Sequence, residues 1–200
     1  MTLTHVQKRA RIATPPLADL GWALVGAVAY GAVGAAANLL LPQLALFRPA
    51  AAVLVLSALL RGPVVGFGTG FLGDLLVGAW QGGVWLHWSL GVGLAGAVIG
   101  LLWLWSDLDA APALTRMDLQ KIVFFTCAGF FVGAFFPALV DIILGAALSL
   151  ALIVWAIPAW LVNAFWGTTL GTLLLVLWKS AASRRLLRRP ADRQSLPRRD

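Results

Sequence analysis

A chain of 200 residues that is 60% hydrophobic and only 12% charged, with 10 Trp and 21 Gly, has the composition of a polytopic membrane protein. Its apolar runs exceed the roughly 18 residues that mark a membrane span. The net charge of +7 sits at the edges of those runs and in the tail, where it sets topology and meets anionic lipid, so it does not argue for nucleic acid.

Residues 1–19 form a basic lead segment. The first apolar run, Leu20 to Leu41, is too long for a signal-peptide core and lacks a clear cleavage site. The pattern predicts an all-α membrane protein of six transmembrane helices in one bundle. The segments are 20–41, 48–60, 63–79, 85–105, 119–144 and 150–178, in one domain over 20–179. Arg61-Gly62-Pro63 separates the second from the third, because proline starts a helix and disfavours helix before it. These two segments are short enough to form a re-entrant hairpin instead of two spans, with its ends on the same side either way. Ser106 to Asp118 is the clear polar loop. Residues 180–200, rich in arginine and carrying Pro190 and Pro197, read as a disordered cytoplasmic arm touching anionic lipid.

With six spans both termini share one side. That side collects Lys8, Arg9, Arg11, Arg61, Arg116, Lys121, Lys179 and the tail arginines, and leaves Arg48 alone on the other. The positive-inside rule then makes both termini cytoplasmic, in a multi-pass plasma-membrane protein of a bacterium or archaeon.

Four segments carry a ridge of small residues at spacing four, capped by a polar residue: Gly26-Tyr30-Gly34-Asn38, Gly62-Gly66-Gly70-Asp74, Gly129-Gly133-Pro137-Asp141 and, reversed, Gly171-Gly167-Asn163. That spacing lies along one helical face, and glycines there let helices approach closely within a membrane. The polar caps all fall in the outer half of the bundle. A carboxylate at that depth is by default a functional-site hypothesis. Asp74 is the stronger of the two acids. Each cap also has a plainer reading, as a structural carboxylate or as interhelical glue. Pro137 and Pro158 interrupt the last two segments in the same half, where freed carbonyls can line a cavity.

The outer loops are aromatic. Trp80-Gln81-Gly82-Gly83-Val84-Trp85-Leu86-His87-Trp88 joins segments three and four, and Leu44-Ala45-Leu46-Phe47-Arg48-Pro49 joins one and two. Two readings stay open for Trp85 and Trp88: an interfacial belt, or a lid stacking on a flat ligand with Gly82-Gly83 as its hinge. Arg48 either snorkels to headgroups, binds a ligand anion, or pairs with Asp74. His87 is an interfacial hydrogen-bonder before it is a ligand or base. The lone Cys127 offers neither a disulfide nor a cysteine-based metal site. HExxH, Walker A and GxSxG patterns are missing from the sequence, as is glutamate altogether. No enzyme activity, cofactor or metal is expected.

Four stretches in order, Arg48-Pro49-Ala50-Ala51-Ala52, Leu60-Arg61-Gly62-Pro63-Val64-Val65-Gly66-Phe67, Gly70-Phe71-Leu72-Gly73-Asp74 and His87-Trp88-Ser89-Leu90-Gly91, resemble the S components of energy-coupling factor (ECF) transporters. The resemblance is best over residues 38–100. It implies a six-helix substrate-binding subunit that takes a vitamin or related micronutrient near the outer face. It also implies docking, through small residues of the first helix, on a transmembrane T subunit carrying two cytosolic ATPases. Ala23-Leu24-Val25-Gly26-Ala27 matches the family's Ala-x-x-x-Ala docking motif, and Gly31 and Ala35 extend that face. Val92 stands where some relatives carry Asn, and no particular vitamin follows.

The expected function is therefore a binding subunit of an ATP-driven importer without its own ATPase site. Asn38, Arg48, Asp74, Trp85, His87, Trp88, Asp141 and Asn163 are the substrate-binding candidates. The alternatives are a membrane scaffold or assembly protein, which needs no outer polar cluster, and a stand-alone ion-coupled transporter using Asp74 and Asp141.

Overall fold

The structure is a computed structural model that describes residues 15–41, 47–106 and 114–187, together with Gln7, Lys8, Ile12 and Leu108. All regular structure among them is helical. Helix α1 is Leu17–Leu40, α2 Ala50–Arg61, α3 Pro63–Trp80 and α4 Leu86–Gly100. A short α5, Leu102–Trp105, is followed by α6, Arg116–Ile143; a π-helical run, Leu150–Ala156, then leads into α7, Ile157–Leu187.

Among the described residues, five helical stretches are long and apolar enough to cross a membrane: Leu17–Leu40, Pro63–Trp80, Leu86–Trp105, Arg116–Ile143 and Leu150–Ala181. The remaining predicted segment, the second in chain order, is α2 and has 12 residues. At 1.5 Å per residue it is about 18 Å long, against a hydrocarbon layer of about 30 Å. It is also the helix with most protein around it. Leu54, Val55, Ala58 and Leu59 are all fully buried, and it touches α1, α3, α4 and α7.

Local chemistry sets the breaks. The chain leaves α2 through Gly62 at φ +91° and starts α3 on Pro63. Only glycine adopts that φ at little cost, and a Cβ on Gly62 would stand 2.7 Å from the Trp103 ring. The start of α6 is a capping box: the Thr115 hydroxyl accepts from Asp118 N–H at 3.2 Å, and the Asp118 carboxylate accepts from Thr115 N–H at 2.9 Å.

The four ridges face inward and hold the bundle together. A Cβ on Gly66 would land on the Gly96 carbonyl, and one on Gly96 on the Gly66 carbonyl, so α3 and α4 meet backbone to backbone. Gly73 receives the Tyr30 ring of α1, with Cδ1 2.7 Å from where a Cβ would be. Gly133 of α6 sits against Ala95 of α4, and Gly167 and Gly171 of α7 straddle Val55 of α2. Pro137 has no N–H to give the carbonyl of Gly133. That carbonyl lies instead against Gly91 of α4, an approach only a glycine permits.

The small-residue face of α1 packs within the chain. Ala23 and Ala27 are 4% and 2% exposed, Gly31 is buried and Ala35 half-buried. Ala23 covers Gly68, and Gly31 abuts Leu76, both on α3. The face matched to the docking motif is thus an internal surface. Small side chains that would admit a partner helix admit α3 instead. The outward surface of α1 includes Gly21, Val25, Val28, Ala32 and Ala36, flanked by the exposed Leu17, Leu20, Trp22 and Leu24.

Two segment ends also differ. The last segment begins as a π-helix, not an α-helix, and α7 runs on to Leu187, into the stretch expected to be a disordered arm. Residues 188–200, with most of the predicted lipid-binding arginines, lie outside the described residues, as do 1–6 and the loop residues 42–46. At the end of the bundle where α1 and α6 begin, two lysines close the packing. Lys8 Nζ donates to the carbonyls of Trp103 (3.0 Å) and Ser106 (2.9 Å), and Lys179 Nζ donates to the carbonyl of Leu108. An ammonium is well placed at helix-terminal carbonyls that lack helical donors. Arg61 covers the Trp22 ring at 4.4 Å at the same end.

Candidate ligand-binding site

At the opposite end, where α3 and α6 finish and α4 and α7 begin, the helices part around a cavity of about 720 Å³. Ligand sites of small molecules commonly span about 300–1,000 Å³. Six of the eight candidate residues line it: Arg48, Asp74, Trp85, Trp88, Asp141 and Asn163. The other two do not. Asn38 lines an adjoining recess of about 30 Å³, which also touches Tyr30, Arg48, Asp74 and Asn163. His87 stands behind Asp141.

The two carboxylates are held differently. His87 Nε2 lies 2.8 Å from Asp141 Oδ1, and Trp88 Nε1 donates to Asp141 Oδ2 at 3.0 Å. Both oxygens of Asp141 are therefore engaged, and the clasp ties the N-terminus of α4 to the C-terminal turn of α6. Asp74 accepts from Ser89 Oγ at 2.8 Å through Oδ2. Its Oδ1 has no hydrogen-bond partner among the described residues, and Asp74 is part of the cavity lining. His87 and Ser89, two apart on α4, thus serve separate carboxylates on separate helices. Arg48 and Asp74 share the recess without forming an ion pair with each other, whereas His87 and Asp141 do pair. Asn163 gives its Nδ2 to the Ala159 carbonyl of its own helix at 2.8 Å, which leaves its amide oxygen available.

The walls are aromatic. Trp88, pinned through its indole N–H, stands with Trp85, Trp155 and Phe130 around the cavity. Trp85 is 65% exposed and sits at the mouth. The loop beneath it is tighter than a free hinge: Gly83 N–H donates to the Gly78 carbonyl at 3.0 Å, and Gln81 N–H to the Val77 carbonyl at 3.1 Å. Gly82, at φ +78°, turns the chain between them. The companion loop falls largely on residues 42–46 and lies outside the described residues. Among the described residues no three His, Cys, Asp or Glu side chains gather to hold a metal ion. The arrangement suits a flat molecule: aromatic faces to stack on, an unoccupied carboxylate oxygen, a guanidinium and amides at one end.

Several lining residues carry no distinctive pattern in the sequence. Tyr30 occupies the second place of a small-residue ridge, where it reads as packing. Ser89 follows His87 and Trp88, and the packing of α4 against α3 brings it to Asp74. Trp155 belongs to the π-helical run; π-helical turns are frequent at functional sites, but hydropathy does not register them.

The family described as ECF-type riboflavin transporter, S component, matches residues 21–180. The chain is 40% identical over 100 residues to a UPF0397 protein of Vibrio atlanticus, covering 48% of this chain and 50% of that protein. It is 38% identical over 103 residues to one from Aliivibrio salmonicida, 50% and 51% of the two chains. A UPF0397 protein of Lactobacillus delbrueckii subsp. bulgaricus is 28% identical over 132 residues, 64% and 69% of the two chains. The matched part spans about half the length of the Vibrio and Aliivibrio relatives. No solved structure matches the chain. The resemblance read from residues 38–100 thus extends over nearly all the helices, and the chain is a multi-pass membrane protein that belongs to the ECF-type riboflavin transporter S-component family.

Proposed function

We propose that this protein is the substrate-binding subunit of an ATP-driven micronutrient importer in the bacterial plasma membrane. The observation that carries the reading is the cavity: a space of about 720 Å³ lined by two carboxylates, an arginine and three tryptophans, in a bundle whose helices elsewhere meet at glycines. The ligand is a small, flat, vitamin-like molecule, and riboflavin, from the family's description, is the first to test. Asn38, Arg48, Asp74, Trp85, Trp88 and Asn163 contact it; His87 and Asp141 position Trp88.

The cavity opens outward and both termini are cytoplasmic. This rests on the segregation of charge, with Lys8, Arg61, Arg116 and Lys179 at the end away from the cavity and Arg48 beside it. On this reading α2 completes a six-segment bundle, as a short core helix reached through the outer loop. The partners are a T subunit and two cytosolic ATPases. The docking surface is the outward face of α1, along Gly21, Val25, Ala32 and Ala36, since the inward face is filled by α3. A basic tail on anionic lipid completes the assignment.

Mass spectrometry of small molecules copurifying with the detergent-solubilised full chain, alongside capture of its membrane partners, tests the proposal. A copurifying heteroaromatic compound and recovery of a T subunit with ATPases are expected. An empty protein captured alone, with uptake unchanged on deletion, would sink it.

A further inference from the structure

Resting on that reading of the cavity, the structure also says which edge of the ligand enters first. The 30 Å³ recess and the large cavity share Tyr30, Arg48, Asp74, Val77 and Asn163, so the recess adjoins the cavity at a polar corner. It holds a negative and a positive side chain that do not neutralise each other directly, since no ion pair joins Arg48 to Asp74. Asp74 keeps Oδ1 for an incoming donor because Ser89 is already on Oδ2. Arg48 offers donors only. Asn163 has its amide nitrogen on Ala159, so its oxygen is the free end.

A corner of this kind fits poorly with a carboxylate or phosphate, which would face Asp74, and with an ammonium, which would face Arg48. It fits a neutral group that donates at one point and accepts beside it. The aromatic walls require that group to be part of a flat ring. We infer that the recess reads the imide- or lactam-like edge of a planar heterocycle, with Asp74 Oδ1 accepting the ring N–H and Arg48 donating to an adjacent carbonyl. Asp74 is then the specificity-determining residue of the site, and Asp141, with both oxygens engaged, is not.

The test is a chemical double-mutant cycle on the purified full chain in detergent, read by tryptophan quenching. The probes are riboflavin, riboflavin methylated on its imide nitrogen, and thiamine, a cation without an imide. Methylation should weaken binding to the wild type by about ten- to a hundredfold, the range for a hydrogen bond to a charged acceptor. In Asp74→Ala the two flavins should bind within about threefold of each other, because the partner of the N–H is gone; Asp74→Asn serves if the alanine variant does not fold. A methylation penalty that persists in the Asp74 variants overturns the inference and leaves the binding function standing. Tight binding of thiamine with none of riboflavin does the same, by making Asp74 a counter-ion. If a folded wild type binds none of the three, the heterocycle-binding reading itself falls, and the inference with it.

Discussion

Asp141→Ala separates a positioning carboxylate from a reading one. The substitution removes the acceptor of Trp88 Nε1 at 3.0 Å and the contact of His87 Nε2 at 2.8 Å. Hydrogen bonds to a charged group contribute about 1.5–3 kcal/mol each. The side chains of His87 and Asp141 are 21% and 12% exposed, so the lower end applies, about 3 kcal/mol for the pair. At roughly 2–4 °C per kcal/mol for a chain of this size, the unfolding midpoint in detergent should fall by about 6–12 °C. Asp141→Asn keeps an acceptor for one partner and should lose about half as much. The Trp88 indole, freed from α6, should move toward solvent, so tryptophan emission should shift to the red. Differential scanning fluorimetry and emission spectra on the same preparations make the measurement. A midpoint within about a degree of wild type, with unaltered emission, would refute the claim that this clasp fixes the cavity wall.

Three further outcomes follow from the packing. Ala27→Trp should prevent folding, since Ala27 is 2% exposed and overpacking of even a few methylenes costs about 1–3 kcal/mol; Ala32→Trp on the outward face of α1 should fold and bind ligand but lose its T subunit in copurification. Gly96→Leu should abolish the folded peak in size-exclusion chromatography, because its Cβ overlaps the Gly66 carbonyl, whereas Gly21→Leu, with nothing within 4 Å, should leave that peak unchanged. Lys8→Met should leave the carbonyls of Trp103 and Ser106 short of a donor and destabilise by about 1–3 kcal/mol; hydrogen exchange at residues 103–106 should rise while exchange around Asp74 stays unchanged.

Much of the fold was legible because the signals are periodic. Long apolar runs located the spans, and glycines at spacing four located the inward faces, since few other arrangements tolerate so many bare backbones in a membrane helix. The Arg61-Gly62-Pro63 break was legible for the same reason: a φ of +91° and a proline start have sequence signatures. What spacing does not encode is which neighbour fills a face. Ala23, Ala27 and Gly31 form a surface ready for any close-packing helix, and α3 of the same chain takes it. The site was partly legible, because Asp74, Asp141 and Arg48 are conspicuous in an apolar chain. The division of labour between the two acids was not. It depends on Ser89 and His87 facing different helices, and that follows from the crossing of α4 over both α3 and α6.

The contact of Gly66 with Gly96 has a mechanical consequence. Beneath the cavity, Gly66 of α3 and Gly96 of α4 touch through their backbones, so a side chain added at either position would wedge the two helices apart. At that crossing there are no side-chain rotamers to rearrange, so α3 and α4 move there as one rigid pair.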